Sequence, residues 1–281
     1  MKRFLLTLLT FVLVAALAAF LLAPVAVRQY RLWENAKVVD SYRDATNRLS
    51  PSECDALRDE AQAHNQALDG VSWTDPYAPS ADGGGEDYAA LLNPAGNDAM
   101  AVLEVPKLGV SLAVYHGGES GTATARVEHV PQSRLPSGSA SGPCLLRAAR
   151  ERFFNPFAGL DRLIVGDCFF LRVLEEIQTY EVFQVATVTP EALEDFQSAE
   201  GDNECALVAG IAGDGDRRLV VRGRRVSRQS VMPADDSRPL PGGVPELIFA
   251  APVAIVGLAL LAVIEGLRRI ARRRMRRRMK L

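Results

Sequence analysis

Two long apolar runs, one near each end, divide the 281 residues of this chain into segments that suit different surroundings. The first run, residues 4–27, contains no charged side chain and follows Lys2 and Arg3. A helix rises about 1.5 Å per residue, so a run of this length crosses the ~30 Å hydrocarbon core of a bilayer. We therefore predict an uncleaved transmembrane anchor at residues 1–27. The alternative is a cleaved signal peptide, whose apolar region is usually only about 7–15 residues long.

The second run, residues 247–267, is interrupted by Pro252 and Glu265 alone, and nine arginine and lysine side chains follow it in the tail at residues 268–281. Such a cluster directly after a membrane span indicates the cytoplasmic side and contact with anionic lipid headgroups. Nucleic-acid binding is the other reading of dense arginine, but it does not explain the position beside an apolar run. The sequence thus predicts a two-pass protein of the cell membrane, with both termini cytoplasmic and residues 28–246 extracellular.

The charges are distributed in the same way. The whole chain has 32 Lys+Arg and 34 Asp+Glu and a net charge of −2. Two of the basic residues precede the first run, nine follow the second, and Glu265 lies within the second run. This leaves 21 basic against 33 acidic residues, a charge of about −12, for residues 28–246. Such an acidic segment is not suited to binding nucleic acid.

The cysteines and histidines of residues 28–246 do not form a pattern typical of metal sites. Because no Cys-x-x-Cys pair exists and the histidines are scattered, we predict no metal site and no cofactor. The cysteines face an oxidising environment but are too sparse for a disulfide framework. The residues concerned are Cys54, Cys144, Cys168, Cys205, His64, His116 and His129.

Residues 28–99 are predicted to form a helical stalk followed by a loop. The helical pattern covers residues 30–69, with a helix start at Ser50-Pro51-Ser52-Glu53 and an end at Gly70. Three consecutive glycines at 83–85 favour a mobile loop after it. From Met100 onward, short β runs separated by turns predict a sandwich or barrel. These runs are 101–105, 110–114, 144–146, 168–174, 180–187, 205–208 and 219–221, and residues 227–246 form a linker.

Segments of the β-rich part resemble, in the same order, the motifs of class C sortases, the pilin-polymerising, membrane-anchored cysteine transpeptidases of Gram-positive bacteria. The matching segments are 101–109, 112–117, 128–130, 133–136, 157–167, 180–182 and 219–223. The resemblance implies a mostly β fold, an eight-stranded barrel at residues 100–226. It also implies that Asp75, Pro76 and Tyr77 form a lid that plugs the groove of the active site.

The same resemblance places the family's catalytic residues on this sequence and finds two of them missing. Sortase chemistry uses a cysteine thiolate, a histidine that protonates the leaving amine and an arginine that stabilises the oxyanion. The histidine position is Ala149, and the cysteine position is Gly210, or Ala209 because the following stretch is one residue short. Arg218 occupies the arginine position, although in its arginine-rich surroundings it could also be a solvated cation.

Cys144 and Cys205 each lie about five residues before the family's histidine and cysteine positions, on strands that are neighbours in a sortase barrel. Three interpretations remain open: a displaced nucleophile, a disulfide or close thiol pair, and buried small apolar residues. We expect no histidine beside either cysteine, and we expect His116 and His129 to be structural or surface groups.

These features predict a catalytically inactive sortase-like protein of the cell envelope. Its expected partners are the sorting peptides of pilins or surface proteins, or an active sortase in the same membrane, and its expected setting is pilus assembly. One alternative is an active class C sortase with a displaced cysteine nucleophile. Another is a structural cell-envelope protein with no peptide ligand.

Overall fold

The computed structural model describes residues 2–68, 75–77, 85–117, 126–138, 142–148, 155–194, 203–211 and 214–227. These residues fall into two compact units, which divide between Trp33 and Glu34. The second unit contains all the strands.

Helix α1 (Lys2–Arg48) is 47 residues long and contains Pro24. The apolar run 4–27 and the first part of the helical pattern predicted from residue 30 thus belong to one continuous helix. No helix in the described part of the chain is both long and apolar enough to cross a membrane, so the first predicted span is not supported. The second predicted span, the basic tail and the linker after Ser227 lie outside the described residues.

Helix α2 (Pro51–Ala67) begins where the sequence predicts. The Ser50 hydroxyl accepts a hydrogen bond from the Glu53 backbone N–H, and the Glu53 carboxylate accepts one from the Ser50 backbone N–H. This reciprocal capping box satisfies backbone donors that the first helical turn leaves free. On the buried face, the Asn65 amide bonds both the N–H and the C=O of Leu135, at 2.8 and 2.9 Å. The side chain thus fastens α2 to the barrel.

Residues 85–90, predicted as part of a loop, form a short helix, α3 (Gly85–Ala90). Gly85 has a φ of +78°, a conformation that glycine adopts without strain. Tyr88 on this helix is 1% exposed, and burial of its ring explains why the segment is ordered despite the preceding glycines.

Eight strands form a closed barrel in the order β1-β2-β3-β4-β7-β8-β6-β5, which confirms the predicted eight-stranded fold. The pairs β2–β3 and β4–β7 are parallel and the other pairs are antiparallel. A short helix, α4 (Pro190–Glu194), precedes β7. The strands are β1 (Ala99–Val105), β2 (Val110–His116), β3 (Val127–His129), β4 (Gly142–Ala148), β5 (Cys168–Val173), β6 (Glu176–Val188), β7 (Asn203–Ile211) and β8 (Asp214–Arg225).

The neighbouring strands β4 and β7 have two distinct faces because successive side chains of a strand point to opposite sides. The inner face packs in the main core of the barrel and consists of Cys144, Leu146, Ala148, Cys205, Leu207 and Ala209. On the outer face Leu145, Ala206 and Val208 form a smaller cluster with Val130, Leu193 and Val220, against which Tyr77 packs. This outer face carries the candidate site.

Candidate functional site

Gly210 lies near the end of β7 and is the register partner of Arg218 on β8. The pairing is regular up to this residue, since the register shifts only between Gly210 and Ile211. Strand alternation therefore puts position 210 on the outer face with Val208, and Ala209 on the inner face, where it packs in the core. Of the two predicted cysteine equivalents, Gly210 is the one that faces outward.

Among the residues that the structure describes, the space beside Gly210 is open. No atom of those residues lies within 4 Å of a Cβ atom added at this position. Ala149, the predicted histidine equivalent, follows the last residue of β4 and lies outside the described residues. Ala148 just before it is the register partner of Ala209. We refer below to the outer surface at the ends of β4, β7 and β8, around Gly210 and Arg218, as the groove.

Arg218 is not a solvated cation, because it is buried and bound to the predicted lid. Its side chain makes a two-point ion pair with Asp75, with Nε–Oδ1 at 3.1 Å and Nη2–Oδ2 at 2.8 Å. Both residues are 9% exposed. The guanidinium also lies over the Tyr77 ring, 4.9 Å from its centroid. Paired, parallel hydrogen bonds of this kind fix the orientation of both partners as well as neutralising the charge.

Tyr77 closes the groove between β4 and β7. Its hydroxyl lies 2.9 Å from the carbonyl oxygens of Ala148 and Val208, so it can donate to either strand end. Burial raises the pKa of Tyr77 to about 12, so the phenol stays protonated and remains a donor at neutral pH. Asp75 shapes the turn as well, because its carboxylate accepts a 3.3 Å hydrogen bond from the Tyr77 backbone N–H. Asp75, Pro76 and Tyr77 therefore pack on the outer face of the barrel, which also carries Gly210, and their role as a lid stays a prediction.

Arg147 is a member of the site that the sequence reading did not identify. Its guanidinium donates to the Pro76 carbonyl and, through Nε and Nη2, to the Glu128 carboxylate at 3.0 and 2.9 Å. Arg147 is 8% exposed and Glu128 9%. In the sequence, the position of Arg147 two residues before Ala149 could have indicated this role, because alternate residues of a strand share a face. Two buried arginines thus hold the lid, one from β4 and one from β8.

The histidines, which are far apart in sequence, all lie around Tyr88. The ring centroids of His64, His116 and His129 are 5.9, 5.0 and 5.9 Å from that of Tyr88. Among the described residues, no group of three or more histidine, cysteine or acidic side chains is arranged to hold a metal ion.

His129 is fully buried and both of its ring nitrogens are engaged. Nε2 faces the Arg134 carbonyl at 2.9 Å, and Nδ1 lies 2.8 Å from the Tyr88 hydroxyl. A carbonyl only accepts, so Nε2 carries the proton and Nδ1 accepts from the phenol. The prediction that His129 is structural agrees with this network. The prediction that no histidine lies beside a cysteine is wrong, because β3 pairs with β4 and brings His129 against Cys144.

All four cysteines lie within the described residues, and none faces the groove. Cys144 and Cys205 are on the inner face, buried in the core. They stand five strand positions before Ala149 and Gly210, which corresponds to about 16 Å. Cys54 is on α2 beside Glu175, and Cys168 begins β5.

Comparison with known proteins identifies the barrel. The sortase domain family matches residues 103–226, and no curated protein matches the chain. Sortase C1 from Streptococcus agalactiae is 27% identical with a TM-score of 0.59, over 68% of this chain and 99% of that one. Sortase C-1 from Actinomyces oris is also 27% identical with a TM-score of 0.56, over 62% of this chain and 99% of that one.

A third solved structure, sortase C from Streptococcus pneumoniae, is 22% identical with a TM-score of 0.60, over 70% of this chain and 100% of that one. At this identity the likeness is one of fold; that protein's structure bears on catalysis and pilin substrate specificity. The barrel and the domain match at residues 103–226 agree with one another. Residues 103–226 therefore match the sortase domain family, and the barrel is similar in fold to those of solved class C sortases.

Proposed function

We propose that this protein is a catalytically inactive class C sortase of the cell envelope, which binds sorting peptides of pilins or surface proteins without cleaving them. The observation that carries the proposal is Gly210. It faces the groove opposite Arg218, where the family resemblance expects the cysteine nucleophile, and it has no side chain.

Peptide-bond exchange by this family needs a thiolate that forms an acyl intermediate and an acid that protonates the leaving amine. The nearest cysteines are about 16 Å from Gly210 and on the other face of the sheet. His129, the histidine beside Cys144, is fully buried and also bonds Arg134 and Tyr88. A displaced nucleophile at Cys144 or Cys205 would therefore be sealed in the core, where no peptide reaches it, and we favour inactivity.

The groove retains the groups that an extended peptide needs. The carbonyls of Ala148 and Val208 both lie within reach of the Tyr77 hydroxyl, and the guanidiniums of Arg147 and Arg218 donate to the lid backbone and carboxylate. A peptide in place of the lid would donate its N–H groups to the two carbonyls. Its C=O groups would accept from the two guanidiniums, as in strand-like peptide recognition. The lid occupies these groups in the closed state.

Membrane attachment is part of the proposal and is supported by the sequence, through the apolar runs 4–27 and 247–267 and the basic tail. Large apolar side chains on α1 are also exposed: Leu13 is 68% exposed and Phe20 69%. Contiguous exposed apolar surface is typical of membrane or protein contacts. We place both termini in the cytoplasm and residues 28–246 outside, where a partner sortase and pilin precursors would meet the barrel.

The binding part of the proposal is tested on the purified full chain in detergent, with fluorescent pilin-type sorting peptides and anisotropy as the readout. We expect saturable binding that strengthens in Asp75→Ala, because opening the lid removes the fraction of closed, non-binding molecules. The matched control is Asp55→Ala, which removes an exposed carboxylate from α2 and not from the lid. This change should leave the affinity unchanged. Absence of binding by both the wild type and Asp75→Ala would favour a structural envelope protein instead.

A further inference from the structure

Two cysteines face each other across the parallel strands β4 and β7. Cys144 and Cys205 are direct register partners. Neighbouring strands lie about 4.7–4.9 Å apart, which is within the Cα–Cα range of about 4.4–6.8 Å found for disulfides. Both side chains point to the inner face and are 3% and 0% exposed. Both cysteines are free thiols in the structure. The strand spacing is compatible with a bond between their sulfur atoms.

The two buried thiols affect the ionisation of each other. The pKa of Cys144 is lowered, first by a hydrogen bond from Cys205 and then by His129. The pKa of Cys205 is raised by burial and by its hydrogen bond with Cys144. These directions are consistent with the facing positions of the two residues in the strand register.

The other cysteines are the groups with which either thiol could form a covalent bond. His129 contacts Cys144 only through hydrogen bonding, and it also bonds Arg134 and Tyr88. The other two cysteines lie elsewhere, Cys54 on α2 and Cys168 at the start of β5, opposite Glu181 on β6. Of the pairings among the four cysteines, Cys144 with Cys205 is the one that the strand register provides.

We propose that Cys144 and Cys205 are a modification site, closed as an intramolecular disulfide when the domain folds in an oxidising compartment. The oxidant is a disulfide of the thiol-exchange class, such as oxidised glutathione. The Cys144 thiolate attacks one of its sulfurs and releases one reduced thiol; the Cys205 thiolate then attacks the Cys144 sulfur and releases the second. The two thiols of the protein lose two electrons and two protons, and the oxidant gains both. The extracellular placement that supplies these surroundings belongs to the proposed function.

Such a bond would join the two strands whose ends form the groove walls. It closes the chain between residues 144 and 205, which lowers the conformational entropy of the unfolded state. For a domain of this size, its reduction is expected to lower the Tm by about 5–10 °C. The groove-facing residues are unaffected by the bond, because it lies on the inner face of the sheet.

The test is cell-free synthesis of the full chain in detergent micelles, once with oxidised glutathione and once with dithiothreitol. Free thiols are alkylated after denaturation in acid-quenched samples, and the digest is mapped by mass spectrometry. We expect a peptide linked through Cys144 and Cys205 under oxidising synthesis, with Cys54 and Cys168 alkylated. The link persists in Cys168→Ala and is lost in Cys144→Ala, and only the linked forms lose thermal stability on reduction.

A chain that melts cooperatively but carries both thiols in alkylated form after oxidising synthesis would overturn the proposal. A bond from either residue to Cys54 or Cys168 would overturn it as well. Because the readout is a mass and the synthesis needs no export, its outcome is independent of peptide binding and of membrane topology. If the proposed function is wrong, the peptide linked through Cys144 and Cys205 should still be found. If the disulfide does not form, binding of the sorting peptide should still be observed.

Discussion

The inner and outer faces of the β4–β7 strand pair differ in composition and in packing. The inner face is a continuous apolar surface packed in the barrel core, from Cys144 and Cys205 to Ala148 and Ala209. The outer face keeps the arginine of the family's site and the contacts of the lid, but has Gly210 where the resemblance places the nucleophile. Since a side chain at position 210 would project into open space, its loss leaves no cavity in the core. The inactivity that we propose is therefore compatible with an intact fold.

The lid makes both polar and apolar contacts with the outer face of the barrel. Its polar groups bind Arg147 and Arg218, and its tyrosine packs on the apolar cluster of the outer face. If the protein is inactive as we propose, such a lid has no reaction to regulate. Its contacts still contribute hydrogen bonds to two buried arginines, and breaking hydrogen bonds in a desolvated site is costly.

The inner face is expected to dominate stability. Leu207 is fully buried, so Leu207→Ala should lower the free energy of unfolding by about 2–5 kcal/mol through lost burial and a residual cavity. The measurement is urea unfolding of the full chain in detergent. Ile164→Ala, at a side chain that is 62% exposed, is the control and should change it by less than about 0.5 kcal/mol. Equal effects of the two changes would refute the packing described for β7.

The lid ion pair should have the next largest effect. Arg218→Met removes the partner of Asp75 and should lower the free energy of unfolding by about 1–3 kcal/mol. The loss is limited because the lid can move and expose the Asp75 carboxylate to water. Limited proteolysis should show faster cleavage near residues 75–77. Arg224→Met, at a side chain that is 51% exposed, is the matched control. Unchanged protection of the lid in Arg218→Met would contradict the closed arrangement.

A smaller effect is expected from the tyrosine hydroxyl. Tyr77→Phe keeps the ring on the outer cluster but leaves the carbonyls of Ala148 and Val208 without this donor, a cost of about 0.5–1.5 kcal/mol. Hydrogen exchange at the ends of β4 and β7 should become faster, while exchange in β5 stays the same. Acceleration throughout the barrel would mean that the hydroxyl supports the fold as a whole.

The smallest effect on stability, within about 0.5 kcal/mol, is expected for Gly210→Cys, because the new side chain enters open space. The new thiol should nevertheless react with a maleimide much faster than Cys144 or Cys205, and faster still when Asp75→Ala opens the lid. Mass spectrometry of the labelled chain gives the site. Preferential labelling of either native cysteine would place a reactive thiol where the structure shows a sealed core.

Local chemistry made much of the fold predictable. The capping box at Ser50 and Glu53 and the short β runs are encoded in neighbouring residues, and each predicted run lies in or overlaps a strand. The continuity of α1 from the apolar run into residues 30–48 was not predicted, because no local signal marks the two segments as one helix. Strand β3 was missed because three residues are too few to show alternation.

The site was less accessible to sequence reasoning because it is assembled from distant segments. The pairing of β3 with β4 puts His129 against Cys144, and no local pattern predicts that pairing. The choice between Ala209 and Gly210 could not be made from a stretch one residue short, whereas strand alternation decides it. Arg147 was read only as a replacement in a family motif, and its role depends on Glu128 and Pro76, which lie 19 and 71 positions away.

The central claim is that a retained groove has lost its chemistry. Its most direct test mixes the purified full chain with sorting peptides and an amine acceptor and follows cleavage, transfer and covalent acyl-protein by mass spectrometry, beside an active sortase. We expect no product and no acyl-protein from the wild type. The same result is expected from Asp75→Ala, in which the lid is opened. Product that appears with the wild type and disappears in Cys144→Ala or Cys205→Ala would contradict it.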